Sequence, residues 1–78
     1  MTFLKPTYNR LPAKPEHMEK VMRVLADGKL HTPADIVAKS RMSLTQTMVA
    51  LAQLSTDGRV TAVESNTPPK LQVRLPNS

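Results

Sequence analysis

Residues Thr32 to Gly58, TPADIVAKSRMSLTQTMVALAQLSTDG, decide how this chain folds. The stretch predicts a short helix, a tight turn and a longer helix, and each helix carries its own start signal. Thr32 can accept a hydrogen bond from a free N–H of the opening turn, and Pro33 suits the first helical position, where its missing N–H costs nothing. Asp35 places negative charge at the positive end of that helix. Ser43 and Gln46 have the S-x-x-Q spacing of a capping box, so the second helix should begin at about Leu44. Asp57-Gly58 then supplies a Schellman-like stop.

The connection Ala38-Lys39-Ser40-Arg41-Met42-Ser43 is short, which forces the two helices to cross. A DNA-reading helix-turn-helix needs that arrangement, because its second helix must project far enough to enter the major groove. On a helical wheel Thr45, Val49, Gln53 and Thr56 fall along one side, with Gln46 and Ala52 at its margins. That face is small, neutral-polar and free of acids. The inward side is open between two stripes, Leu44/Met48/Leu51 or Thr47/Leu51/Leu54, and Thr45, Val49 and Thr56 are expected outside in both. In the first helix Ile36 and Val37 should face the core, with Ala34 or Ala38.

Length and charge narrow the function classes. Seventy-eight residues make one domain with a modest core, too small for a deep enzymatic pocket. Eleven Lys and Arg against six Asp and Glu give a net charge of +5, which favours an anionic partner such as nucleic acid. Lys5, Arg10 and Lys14 lie in the first fourteen positions with no acid among them. With no cysteine there is neither a disulfide framework nor a thiolate zinc site. The start MTFLKPTYNR lacks the apolar region of a signal peptide, and no apolar run is long enough to span a bilayer. The expectation is a soluble, cytoplasmic protein.

Residues 1–14 contain Pro6 and Pro12, Pro15 follows directly, and the only aromatic residues are Phe3 and Tyr8. Proline at this density predicts an extended arm. Two roles stay open for it: a basic arm laid on phosphates or in a minor groove, or a terminus on which Phe3, Leu4 or Leu11 packs against the body. From Pro15 the pattern is helical to Gly28, with Met18, Val21, Met22 and Leu25 on one apolar face. Lys20 and Arg23 lie off that face. Leu30 is expected in the core. His17 and His31 lack the converging ligands a metal needs, so both are read as ordinary surface or cap-adjacent histidines. After Gly58, Arg59–Glu64 and Lys70–Leu75 alternate as strands around Ser65-Asn-Thr-Pro-Pro69. Leu71, Val73 and Leu75 form one side of the second strand and Lys70, Gln72 and Arg74 the other, a hairpin with one apolar and one basic face.

Helix, short strand, helix, turn, helix and hairpin is an order that resembles the winged helix-turn-helix domain over residues 15–76. The resemblance is carried by Leu30-His-Thr32, Asp35-Ile36-Val37, Ser43, Thr45 and the run Leu54 through Val60, and it is to bacterial, archaeal and phage transcription regulators. It implies an α+β fold of three helices and a C-terminal β-hairpin wing. It also implies a sequence-specific double-stranded DNA-binding protein, a small transcriptional regulator that inserts helix 44–57 in the major groove while the wing tip at Asn66 to Lys70 touches backbone or minor groove.

The expected DNA-contacting set is Lys39, Arg41, Ser43, Thr45, Gln46, Val49, Gln53, Lys70 and Arg74. Lys39 and Arg41 would hold phosphates beside the inserted helix. Gln46 matches adenine N6 and N7, and the Val49 methyls suit a thymine methyl. A single helix reads few base pairs, so high specificity would call for a homodimer. The competing expectation is a winged-helix protein-interaction module, such as a phage-encoded inhibitor or adaptor of a polymerase, nuclease or replication protein. An enzyme is not expected: there is no Gly-rich phosphate loop, H-x-x-x-H spacing or carboxylate pair, and no cofactor or metal is implied.

Overall fold

A computed structural model describes residues 12–76. Helix α1 spans Pro15–Leu25, α2 Pro33–Ser40 and α3 Leu44–Thr56, followed by strands β1, Thr61–Glu64, and β2, Leu71–Arg74. The architecture is therefore α+β, three helices and a two-stranded antiparallel hairpin. Of the expected arm over 1–14, only Pro12, Ala13 and Lys14 are described; the rest, with Phe3, Leu4, Lys5, Tyr8, Arg10 and Leu11, lies outside the described residues.

The local signals act where the residue types place them. Thr32 Oγ1 accepts from the Asp35 N–H at 3.1 Å, starting α2. At the head of α3 the Gln46 N–H donates to Ser43 Oγ at 3.1 Å, and the Ser43 N–H donates to Gln46 Oε1 at 3.1 Å, so two otherwise orphaned backbone donors are satisfied reciprocally. At its tail the Arg59 N–H reaches Leu54 O at 2.8 Å and the Gly58 N–H reaches Ser55 O at 3.1 Å, with Gly58 at φ 73°. These are the two bonds of a Schellman stop, and the left-handed position is one that glycine occupies without a Cβ penalty.

Between α2 and α3 the chain reverses through Arg41, which is itself left-handed at φ 61° and donates its N–H to Val37 O. Placing a non-glycine residue there leaves Met42 next in line, buried in the core. The turn thus combines an exposed cation with an internal anchor in adjacent positions.

The core joins Val21 and Leu25 of α1, Ile36 of α2, Ala50, Leu51 and Leu54 of α3, Val60, and Val73 of β2. Helices α1 and α2 both pack on α3, and α2 also meets β2. Of the two stripes open on α3, Thr47, Leu51 and Leu54 are fully buried. Leu44 is 55% exposed and Met48 only partly covered. Leu44 is the first residue of α3, whereas Thr47, Leu51 and Leu54 lie farther along the helix. Val37 is partly buried, and Ala34 and Ala38 are exposed.

Strand pairing is Thr61↔Arg74, Ala62↔Val73, Val63↔Gln72 and Glu64↔Leu71. Each strand is shorter than the alternation predicts; ahead of β1, Arg59 is drawn into the helix stop. A third extended piece joins them: His31 forms an isolated antiparallel bridge with Val73, exchanging backbone bonds of 2.9 and 2.8 Å. The hairpin is thereby fastened to the segment between α1 and α2.

Candidate functional site

The first turn of α3 is the most exposed part of that helix. Ser43, Leu44, Thr45 and Gln46 all face solvent, and the turn carries no acid. Arg41 is exposed two residues before Ser43, and Lys39 two residues earlier still, on α2. Lys39 Nζ lies 3.5 Å from Asp35 Oδ2, so its charge is partly shared; Arg41 makes no ion pair among the described residues.

The capping box limits what two of these side chains can do. Ser43 Oγ and Gln46 Oε1 are both engaged in holding the helix start. A backbone N–H can only donate, so the amide of Gln46 must turn its oxygen toward Ser43. Its NH₂ remains, without a hydrogen bond among the described residues. The expected bidentate match to adenine needs oxygen and nitrogen presented together, and here the oxygen is committed.

Val49 corrects an expectation. It belongs to the outward half of α3 by helical spacing, yet it is only 8% exposed. Beside it is a hollow of about 330 Å³ lined, among the described residues, by Pro12, Lys14, His17, Thr45, Gln46 and Val49. The chain ahead of α1 and the first turn of α1 therefore come up alongside α3, and a helical wheel with one covered side does not represent that. Val49 forms part of a recess, while Thr45 and Gln46 stand exposed at its edge. Farther along, Gln53 is partly buried and its Nε2 donates to Asp57 Oδ1 at 3.0 Å. Thr56 is exposed, and its hydroxyl donates to Ala52 O. The side chains with unspent polar groups thus gather at the start of α3.

The hairpin contributes less cationic surface than alternation predicts. Lys70 is exposed, but it lines a hollow of about 380 Å³ together with Glu64, Ser65 and Asn66. Arg74 is partly buried with its Nε shut off from solvent. The tip is held by Ser65, whose N–H donates to Lys70 O and whose hydroxyl points at Thr67 O and Pro69 O. A wider open cleft of about 570 Å³ lies between α1 and α2, lined by Lys20, Arg23, Val24, Asp27, Lys39 and Ser40. Its cations are largely matched, Arg23 to Glu19 at 2.5 Å and Lys39 to Asp35.

His31 is the feature that the residue pattern conceals. Expected as an ordinary surface or cap-adjacent histidine, it is 5% exposed, whereas Leu30, expected in the core, is 42% exposed. In an extended piece neighbouring side chains point oppositely, so only one of the two can face inward. The ring of His31 lies between two carboxylates. Nδ1 bonds Asp35, and Nε2 lies 2.9 and 3.0 Å from the two oxygens of Asp27. The hydrogen bonds to Asp35 and then Asp27 raise the His31 pKa above its ordinary value of 6.5. The same contacts hold both carboxyls below their ordinary 3.8; a bond from the Lys29 N–H helps at Asp27. Both ring nitrogens can donate only in the imidazolium form, so the cluster is a buried cation between two anions. The spacing Asp27-x-x-x-His31-x-x-x-Asp35 is visible in the sequence, but it crosses a turn, a strand and a helix start.

Among the described residues no group of His, Cys, Asp and Glu is arranged to hold a metal, and no helix is long and apolar enough to cross a membrane. Comparison with family models, curated proteins and solved structures finds no match to this chain.

Proposed function

We propose that the protein binds double-stranded DNA as a winged helix-turn-helix regulator, with the leading turns of α3 in the major groove and the hairpin against the neighbouring backbone. The observation that carries this is the head of α3: an acid-free, solvent-exposed first turn with Arg41 and Lys39 beside it and Lys14 across the adjoining recess. Cations placed beside a protruding helix are suited to phosphates, and short polar side chains on the helix are suited to base edges. The element order and the His31–Val73 bridge that ties the hairpin to the helices fit that layout. The net charge of +5 supports it as well.

The test is fluorescence anisotropy of the full chain on a labelled random duplex across a salt series. Four candidate phosphate contacts, Lys14, Lys39, Arg41 and Lys70, predict a log-log slope of about −3 to −4. Replacing Arg41 and Lys70 together should reduce the slope by about 2 and weaken all sequences alike. A second reading, docking to another protein, is favoured by exposed Leu44 in the first turn of α3 and by the recess that Val49 lines. Docking of that kind predicts no measurable duplex binding even at low salt.

A further inference from the structure

We propose that the recess at Val49 is a thymine-reading site. It rests on the DNA-binding reading above and makes that reading specific at one base. The four bases present different edges in the major groove. Thymine offers an acceptor, O4, beside an apolar methyl; guanine offers two acceptors; adenine an acceptor and a donor; cytosine a donor.

The recess matches one of these edges. Among the described residues its apolar contributions are Val49 and Pro12. Gln46 stands at its edge with the amide oxygen fixed on the Ser43 N–H, which leaves the NH₂ as the group available to a ligand. A donor next to an apolar hollow pairs with O4 next to a methyl. The same donor would oppose the amino group of cytosine, and the hollow would leave guanine or adenine without a methyl to fill it. Lys14 and His17 line the recess, and no carboxylate does among the described residues. A phosphate beside the base would meet the Lys14 ammonium there and no acid among the described residues. The capping box therefore changes what Gln46 reads: with the oxygen free it would suit adenine, and with the oxygen committed it suits thymine.

The experiment starts with selection of the full chain against a random duplex pool at low salt, which should return one strongly preferred thymine for each bound copy of the chain. That thymine is then replaced by deoxyuridine, which removes only the methyl group. Affinity should fall about fourfold, the equivalent of roughly 0.8 kcal/mol for one methyl group. Replacing it by 5-methylcytosine, which keeps the methyl and turns the acceptor into a donor, should cost more. Val49→Ala should erase the difference between thymine and deoxyuridine while duplex binding at low salt persists. Gln46→Glu keeps an acceptor for the Ser43 N–H but presents an acceptor to the base, so it should shift preference from thymine toward cytosine.

Equal affinity for thymine and deoxyuridine, with duplex binding intact, overturns the thymine site and leaves the DNA-binding reading standing. Absence of duplex binding at low salt overturns both. Because the deoxyuridine substitution is made in the DNA, the comparison does not depend on any protein variant folding.

Discussion

Two regions of this small domain treat charge in opposite ways. Around His31 opposite charges are brought together: a buried imidazole sits between Asp27 and Asp35, and Asp35 is shared with Lys39. At the head of α3, less than one helix length away in the chain, Arg41 lacks an ion pair among the described residues and no acid enters the first turn. Charge is compensated where three segments must be held together and left uncompensated where a helix end meets solvent. Compensation belongs to stability, since His31 ties the end of α1, the start of α2 and β2 into one unit. Lack of compensation is what a surface for an anionic partner needs.

The comparison breaks most visibly at His31. His31→Ala leaves two carboxylates facing each other without their cation, and is expected to cost roughly 2–3 kcal/mol in urea unfolding. Thr45→Ala, at the head of α3, should stay within about 0.5 kcal/mol. Equal effects would mean that the two regions do not differ in role.

The pH dependence sharpens the same contrast. The raised His31 pKa gives stability that is complete below 6.5 and lost as pH rises through the higher folded value. The depressed Asp27 and Asp35 values give stability that is present above 3.8 and lost as pH falls through the lower folded values. The contribution of the cluster should therefore be greatest between pH 3.8 and 6.5. In urea midpoints against pH, the gap between wild type and His31→Ala should narrow on the alkaline side. A gap constant from pH 5 to 10 would show that His31 is not held as a cation.

A smaller effect is expected on the buried face of α3. Thr47 is fully buried and its hydroxyl has no partner among the described residues. Thr47→Val should raise stability by about 1 kcal/mol, because a buried hydroxyl without a partner carries an uncompensated desolvation cost. Arg41→Gly separates the two regions at one position. Glycine relieves the left-handed backbone but is less restrained in the unfolded chain, so stability should be unchanged or up to about 1 kcal/mol higher. Duplex affinity should fall nonetheless, which anisotropy would read directly.

What the sequence made legible was local. Thr32, Ser43 with Gln46, and Asp57-Gly58 set helix ends through bonds spanning three to five residues, and the structure has those bonds. The apolar face of α1 was legible for the same reason, since its spacing is internal to one helix. What stayed hidden depends on which segments become neighbours. Nothing in Leu30-His31 says which side chain turns inward until the bridge to Val73 sets the orientation of that strand. Val49 looks exposed by spacing because a wheel has no term for the Pro12–Lys14 segment arriving on its far side. Gln46 was legible both as a cap and as a base reader, and only the geometry shows that the first use constrains the second.

The most direct measurement is an amide NMR titration of the ¹⁵N-labelled full chain with a short duplex at low salt. Binding through the uncompensated surface predicts the largest shifts at Arg41 to Gln46, with Lys14 and His17 following and the amides of Asp27 to His31 nearly still. Shifts centred instead on the α1 wall of the wider cleft, at Lys20, Arg23 and Val24, or no shifts at all, would contradict the assignment of α3 as the DNA-binding element.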